Sequence, residues 1–135
     1  MIVMVDASLK DELIVEVAKD IVSLPGLKPE WKSLSLVFTF EEYGSSSFGY
    51  CYVGDGQRDW RAFSTRSDKL RNDVLRLREA MKDGSETKAE WCQGLFQLVR
   101  SEAKLIAEFT YNGETRWQVT PANHEQMVHA LRPHA

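Results

Sequence analysis

Three histidines, two cysteines and a run of three serines are the residues here whose types could support catalysis or metal binding. His124 and His129 stand five apart, about 140° around a helix, so they do not share a face as an i,i+4 pair would. No Cys-x-x-Cys accompanies them, and His134 lies next to the end, so no bound metal is expected. Cys51 sits between Tyr50 and Tyr52, and Cys92 follows Trp91, which reads as two small core residues. A nucleophile also needs an adjacent base and a third group to orient it. Ser45-Ser46-Ser47 has no glycine-elbow pattern and no nearby histidine, and Gly44, Gly49, Gly54 and Gly56 are too dispersed for a phosphate loop. Carboxylate pairs of the glycosidase kind stay open, since any acidic sheet supplies candidates. The expectation is a chain that is not an enzyme and carries no cofactor.

Carboxylates beside turns offer a different chemistry. Glu41-Glu42-Tyr43, and Asp55 with Asp59, place acids at turn positions with an aromatic residue among them. Nuclease domains are basic where they hold their anionic substrate. Acids on a rigid turn could imitate that substrate and gain association rate by steering, with Tyr43 as an anchor. Glu41, Glu42, Tyr43, Asp55 and Asp59 are therefore the candidate partner-binding residues, against the plainer reading that they only solubilise loop tips. Arg66 to Lys82 is the opposite case, with six bases against three acids. Together with Arg58, Arg61 and the aromatics Phe48, Tyr50, Tyr52 and Trp60, it could form a single-strand nucleic-acid platform. The acidic net charge and the core-like spacing of the aromatics favour instead an aromatic core beneath the two main helices.

Positioning such groups requires a folded scaffold, and the composition provides one. The chain has 135 residues, 43% hydrophobic, 27% charged and 10% aromatic, with a net charge of −3. That fits one domain, residues 1–135, with a real core, and excludes disordered, collagen-like and coiled-coil classes. Residues 1–42 hold eight acids against four lysines, so the acidic surplus is N-terminal. No uncharged stretch, Ser33 to Phe40 and the twelve residues Tyr43 to Gly54 included, is long enough to cross a bilayer. The apolar start Met1-Ile2-Val3-Met4-Val5 lacks a basic region and a cleavage site, so a cytoplasmic address with reduced thiols is expected.

Leu9, Leu13, Ile14, Val17, Ala18, Ile21 and Val22 recur at helical spacing, predicting a helix over 9–23, capped by Ser8 and stopped at Pro25-Gly26. From Ser33 the period becomes two. Leu34, Leu36, Phe38 and Phe40 face one way, and Ser35, Val37 and Thr39 the other. A turn over Glu41–Ser46 leads to an aromatic strand through Tyr52, and Arg58 to Phe63 makes a third. Leu70, Val74, Leu77 and Met81 stripe a second helix over 66–82, capped by Thr65 or Ser67 and stopped at Asp83-Gly84. Strands follow at Trp91–Val99 and Ala103–Tyr111. Asn112-Gly113 then predicts a tight hairpin into a last strand, Thr115 to Val119. Thr120-Pro121 opens a terminal helix. The fold class is α+β, an antiparallel sheet of five to six strands in the order α-β-β-β-α-β-β-β-α. Leu13, Val17, Ile21, Phe38, Phe40, Leu70, Val74, Leu77, Phe109 and Trp117 are the expected core.

This pattern resembles the YezG-like immunity proteins, small bacterial antitoxins encoded beside polymorphic toxins. The resemblance runs through Trp31-Lys32-Ser33-Leu34-Ser35-Leu36 and Ser47-Phe48-Gly49-Tyr50-Cys51-Tyr52, then Leu75-Arg76-Leu77-Arg78-Glu79-Ala80-Met81. It continues through Glu90-Trp91-Cys92-Gln93-Gly94-Leu95-Phe96-Gln97-Leu98 and Lys104-Leu105-Ile106-Ala107-Glu108-Phe109-Thr110-Tyr111. It departs where Asn112-Gly113 closes directly into Arg116-Trp117-Gln118-Val119. The resemblance implies a cytoplasmic protein without catalytic residues that binds one cognate toxin domain, often a nuclease, including toxins of contact-dependent growth inhibition. It implies no direct contact with nucleic acid, membrane or small molecule, and it carries no list of contact residues.

Overall fold

The computed structural model describes residues 3–133, with side chains from 10 onward. In chain order the elements are α1 (Val3–Val22), β1 (Ser33–Glu41), β2 (Gly44–Tyr52), β3 (Trp60–Phe63), α2 (Asp68–Asp83), β4 (Gln93–Val99), β5 (Lys104–Thr110) and α3 (His124–Ala130). The strands form one antiparallel sheet in the order β3-β2-β1-β4-β5. This is the expected α+β fold. The first helix begins earlier than its apolar stripe suggested, and the side chain of Ser8 lies outside the described residues.

The period-two alternation of β1 divides the sheet into two unlike faces. Leu34, Leu36 and Phe38 join Cys51, Phe63 and Phe96 beneath Leu13, Val17 and Ile21 of α1 and Leu70, Val74 and Leu77 of α2. Burying such side chains stabilises by roughly 1.5–3 kcal/mol each, which makes this face the main adhesive of the fold. Phe40 and Phe109, expected to be largely buried, are only partly covered. Both lie towards sheet margins, where helix cover thins. Ser67 is the cap of α2: its hydroxyl accepts from the Leu70 amide at 3.1 Å.

The opposite face holds Val37, Tyr50, Tyr52, Leu95, Trp117, Val128 and Leu131. The aromatics of β2 therefore do lie in a core, but under α3 rather than under α1 and α2. An odd–even step along β2 decides this: Cys51 takes the main-helix side, so Tyr50 and Tyr52 take the other. A seven-residue helix is too short to persist alone. The sheet supplies partners for its terminal carbonyls: Ser35 Oγ and Gln97 Nε2 donate to Leu131 O, and Tyr52 Oη donates to Val128 O. Burial pushes the Tyr52 phenol above its ordinary range.

The last predicted strand is absent. Asn112 and Gly113 adopt φ of 61° and 76°, and Glu114 N donates to Tyr111 O at 3.2 Å, so the turn forms as its residues demand. No strand follows it. Instead residues 115–119 climb onto the α3 side of the sheet, where Trp117 is buried. The buried Gln93 side chain holds the crossing, accepting from Trp117 N at 3.1 Å and donating to Thr39 Oγ1 at 3.0 Å. Thr120 also does not start the helix directly. Thr120 and Asn123 exchange side-chain and backbone hydrogen bonds around a preceding turn, and α3 begins at His124.

Candidate partner-binding surface

The β1–β2 ribbon pairs in unbroken register from Ser33 with Tyr52 to Glu41 with Gly44, leaving Glu42-Tyr43 as a two-residue turn. The turn is thus shorter than the predicted Glu41–Ser46. On the side away from β1, Gly44 to Phe48 have no strand partner, because the β2–β3 pairing ends at Gly49 with Phe63, although Ser47 and Thr65 join through their hydroxyls at 2.7 Å. The tip stands proud as a result. Glu41, Glu42 and Tyr43 are all exposed, Tyr43 at 94%. No cation among the described residues lies within ion-pair distance of Glu41 or Glu42.

Next to this tip opens a cleft of about 940 Å³, lined by Glu41, Glu42, Phe40, Phe48, Trp117 and Arg78 among others. Its far wall is the unpredicted crossing at 115–119. Arg78 is locked into the floor: Nε donates to Trp91 O at 2.7 Å, the guanidinium lies 4.3 Å from the Phe40 ring centre, and Glu90 is 3.5 Å away. Sequence reasoning missed Phe40, Trp117 and Arg78 as cleft residues, since only the long-range bond from Gln93 assembles that wall.

Asp55 and Asp59 are elsewhere. They belong to the β2–β3 loop at the other end of β2, roughly 25–30 Å of strand from Glu42. The five candidate residues therefore form two groups, not one. Asp59 is half-buried and its Oδ2 accepts from Gly56 N at 3.0 Å, so it serves its own loop. A Cβ at Gly54 would come within 2.5 Å of that oxygen, which explains the glycine. Arg132 ties the same loop to the end of α3, donating to Gly54 O at 2.8 Å and Gly56 O at 3.0 Å while stacking on Tyr52. Asp55 alone remains exposed there.

Three of the six bases in Arg66–Lys82 sit in ion pairs. Lys69 bridges Asp20 of α1 at 2.7 Å and Asp73 at 3.0 Å, and Arg76 lies 3.3 Å from Asp73. Burial raises the Asp20 carboxyl above the usual range, whereas the hydrogen bond from Asp20, followed by that from Lys69, lowers Asp73. These charges join two helices. Arg66 and Arg71 face a separate cleft of about 850 Å³ with Ser45–Ser47 and His124. His124 packs edge-on against Tyr50 and Trp60, an aromatic role rather than a ligand's. Cys51 is fully buried, while Cys92 is half-buried with Sγ 3.3 Å from Glu114 O. Among the described residues, no three His, Cys, Asp or Glu side chains gather as a metal would need. Among the described residues, no helix is long and apolar enough to cross a membrane. No protein-family description matches the chain, and no curated protein does.

Proposed function

We propose that this chain is a non-catalytic binding protein of the immunity type, one that occupies a cognate basic toxin domain in the cytoplasm and blocks it. One observation carries the reading: the exposed Glu41-Glu42-Tyr43 tip on a nine-pair ribbon, beside an open cleft. Two carboxylates without internal cations keep their field for an incoming partner. The paired strands hold them in place, so little ordering entropy is lost on docking. Tyr43 offers a large contact area with few torsions to freeze. A nucleic-acid platform on the sheet aromatics has less support, since α3 and Trp117 cover Tyr50 and Tyr52.

Co-purification with the toxin domain encoded immediately upstream tests the proposal. The expected result is a one-to-one complex that buries roughly 1,600 Å² in total and abolishes toxin activity. Association should slow as salt rises and the screening length falls to about 8 Å. Absence of a complex, or a complex that leaves the toxin active, would overturn it.

A further inference from the structure

The sheet has one long edge without a strand partner. β5 pairs with β4 on its inner side, and among the described residues no strand lies on its outer side. Which backbone groups face outward follows from the ladder's phase. Phe40 N donates to Cys92 O at 2.7 Å, so the β4 residues bonded to β1 are those in step with Cys92. Gln93, Leu95, Gln97 and Val99 therefore bond towards β5, and their register partners Thr110, Glu108, Ile106 and Lys104 bond inward. Leu105, Ala107 and Phe109 turn their N–H and C=O groups outward.

Natural edges are commonly blunted by proline, bulges, brevity or charge; β5 has none of the first three over seven residues, and its charges are one Lys and one Glu of opposite sign. Its outward residues also line a groove of about 390 Å³ with Ile14, Val15 and Met81, and Val15 is 46% exposed. An unpaired backbone row beside apolar side chains is a template for an added strand.

We propose that the added strand is β5 of a second copy, paired antiparallel about a two-fold axis at Ile106. Charge selects both the occupant and the register. Centring on Glu108 would set that carboxylate against its own copy, and centring on Ala107 would set Glu108 against Ile106. Centring on Ile106 sets Lys104 opposite Glu108 of the second copy, and by symmetry does so twice. Opposite charges directly across a pair stabilise it, and like charges destabilise it. The same register makes Leu105 and Ala107 of the two copies exchange main-chain hydrogen bonds, using the outward rows. Both charged side chains are exposed. Within its own copy Glu108 also lies 3.8 Å from Arg116. The resulting ten-stranded sheet would leave the Glu41–Tyr43 tips and their clefts open, so this inference stands apart from toxin binding.

Sedimentation of the full chain across micromolar concentrations tests it, with a species of twice the chain mass expected. Ala107→Pro deletes an outward donor that the single copy does not use. It should weaken association roughly 30-fold through the two lost bonds while the circular dichroism spectrum stays unchanged. Glu108→Lys should also weaken it, and adding Lys104→Glu should restore it. In a Cys92→Ser background, Ile106→Cys should crosslink to itself on oxidation, because residues in a wide pair stand about 4.5 Å apart at Cα. Ala107→Cys should not. If Ala107→Pro unfolds, this cysteine pair decides the matter. A parent chain that stays monomeric overturns the proposal, as does crosslinking at Ala107→Cys but not Ile106→Cys. So does a monomer whose Ala107→Pro form loses toxin binding, which would assign the edge to a strand of the toxin.

Discussion

The two ends of β2 carry acidic loops that look alike in sequence and differ in what their acids do. At one end Glu41 and the two-residue turn Glu42-Tyr43 offer the carboxylates no hydrogen-bond donor, so these acids face solvent. At the other end the loop is long enough to leave backbone groups unpaired. Asp59 takes the Gly56 amide, and Arg132 takes the Gly54 and Gly56 carbonyls. A carboxylate in a loop is available to a partner only when the loop has no internal use for it.

The largest test of this contrast is Arg132→Ala. It removes two charge-assisted bonds and the stacking on Tyr52, and should cost about 2–3 kcal/mol in urea unfolding. Tyr43→Ala at the free tip should stay within about 0.5 kcal/mol. Equal costs would erase the difference between the two ends.

Association kinetics sharpen it from the other side. The double reversal Glu41→Lys with Glu42→Lys should slow binding to the basic toxin domain about tenfold at low salt and leave stability unchanged. Asp55→Lys should stay within twofold. A larger effect from Asp55 would move the docking surface to the opposite end of the sheet.

A smaller effect concerns the tied loop alone. Asp59→Ala and Gly54→Ala should each cost about 1 kcal/mol, the first by deleting the acceptor for Gly56 N and the second by displacing it. The double variant should cost little more than either, because both remove the same bond. Additive costs would show that the glycine has a separate role.

The smallest effect lies with the buried pair Asp20 and Asp73. Asp73 has its carboxyl lowered on folding. Its contribution is present above the unfolded value near pH 4 and is lost as pH falls through the lower folded value. Asp20 is raised, so its ionisation works against folding as pH rises through its folded value. The two slopes oppose each other, and the parent should show a shallow acid dependence. Asp20→Asn should remove the loss of stability as pH rises above about 4, and Asp73→Asn should remove the gain as pH rises towards about 4. Lys69, largely exposed, should contribute little by itself.

Residue spacing alone determined the elements whose signal repeats along one segment. The Leu13–Val17–Ile21 and Leu70–Val74–Leu77 stripes and the alternation of β1 are local, and each is found where the pattern put it; of the two caps the pattern offered for α2, Ser67 is the one used. The acids of the Glu41–Tyr43 tip were legible for the same reason, since a turn between two alternating runs must be exposed. Tertiary structure decided what depends on a distant partner. Asn112-Gly113 formed its turn, but whether a strand followed was settled by Gln93 and by the space that Trp117 fills. The face on which Tyr50 and Tyr52 are buried was settled by α3, and a helix that short exists only because Ser35, Gln97 and Tyr52 bind its last carbonyls. Turns and stripes are encoded within a few residues of one another. A crossing chain is encoded by whichever long-range hydrogen bonds and cavities remain once the strands have paired.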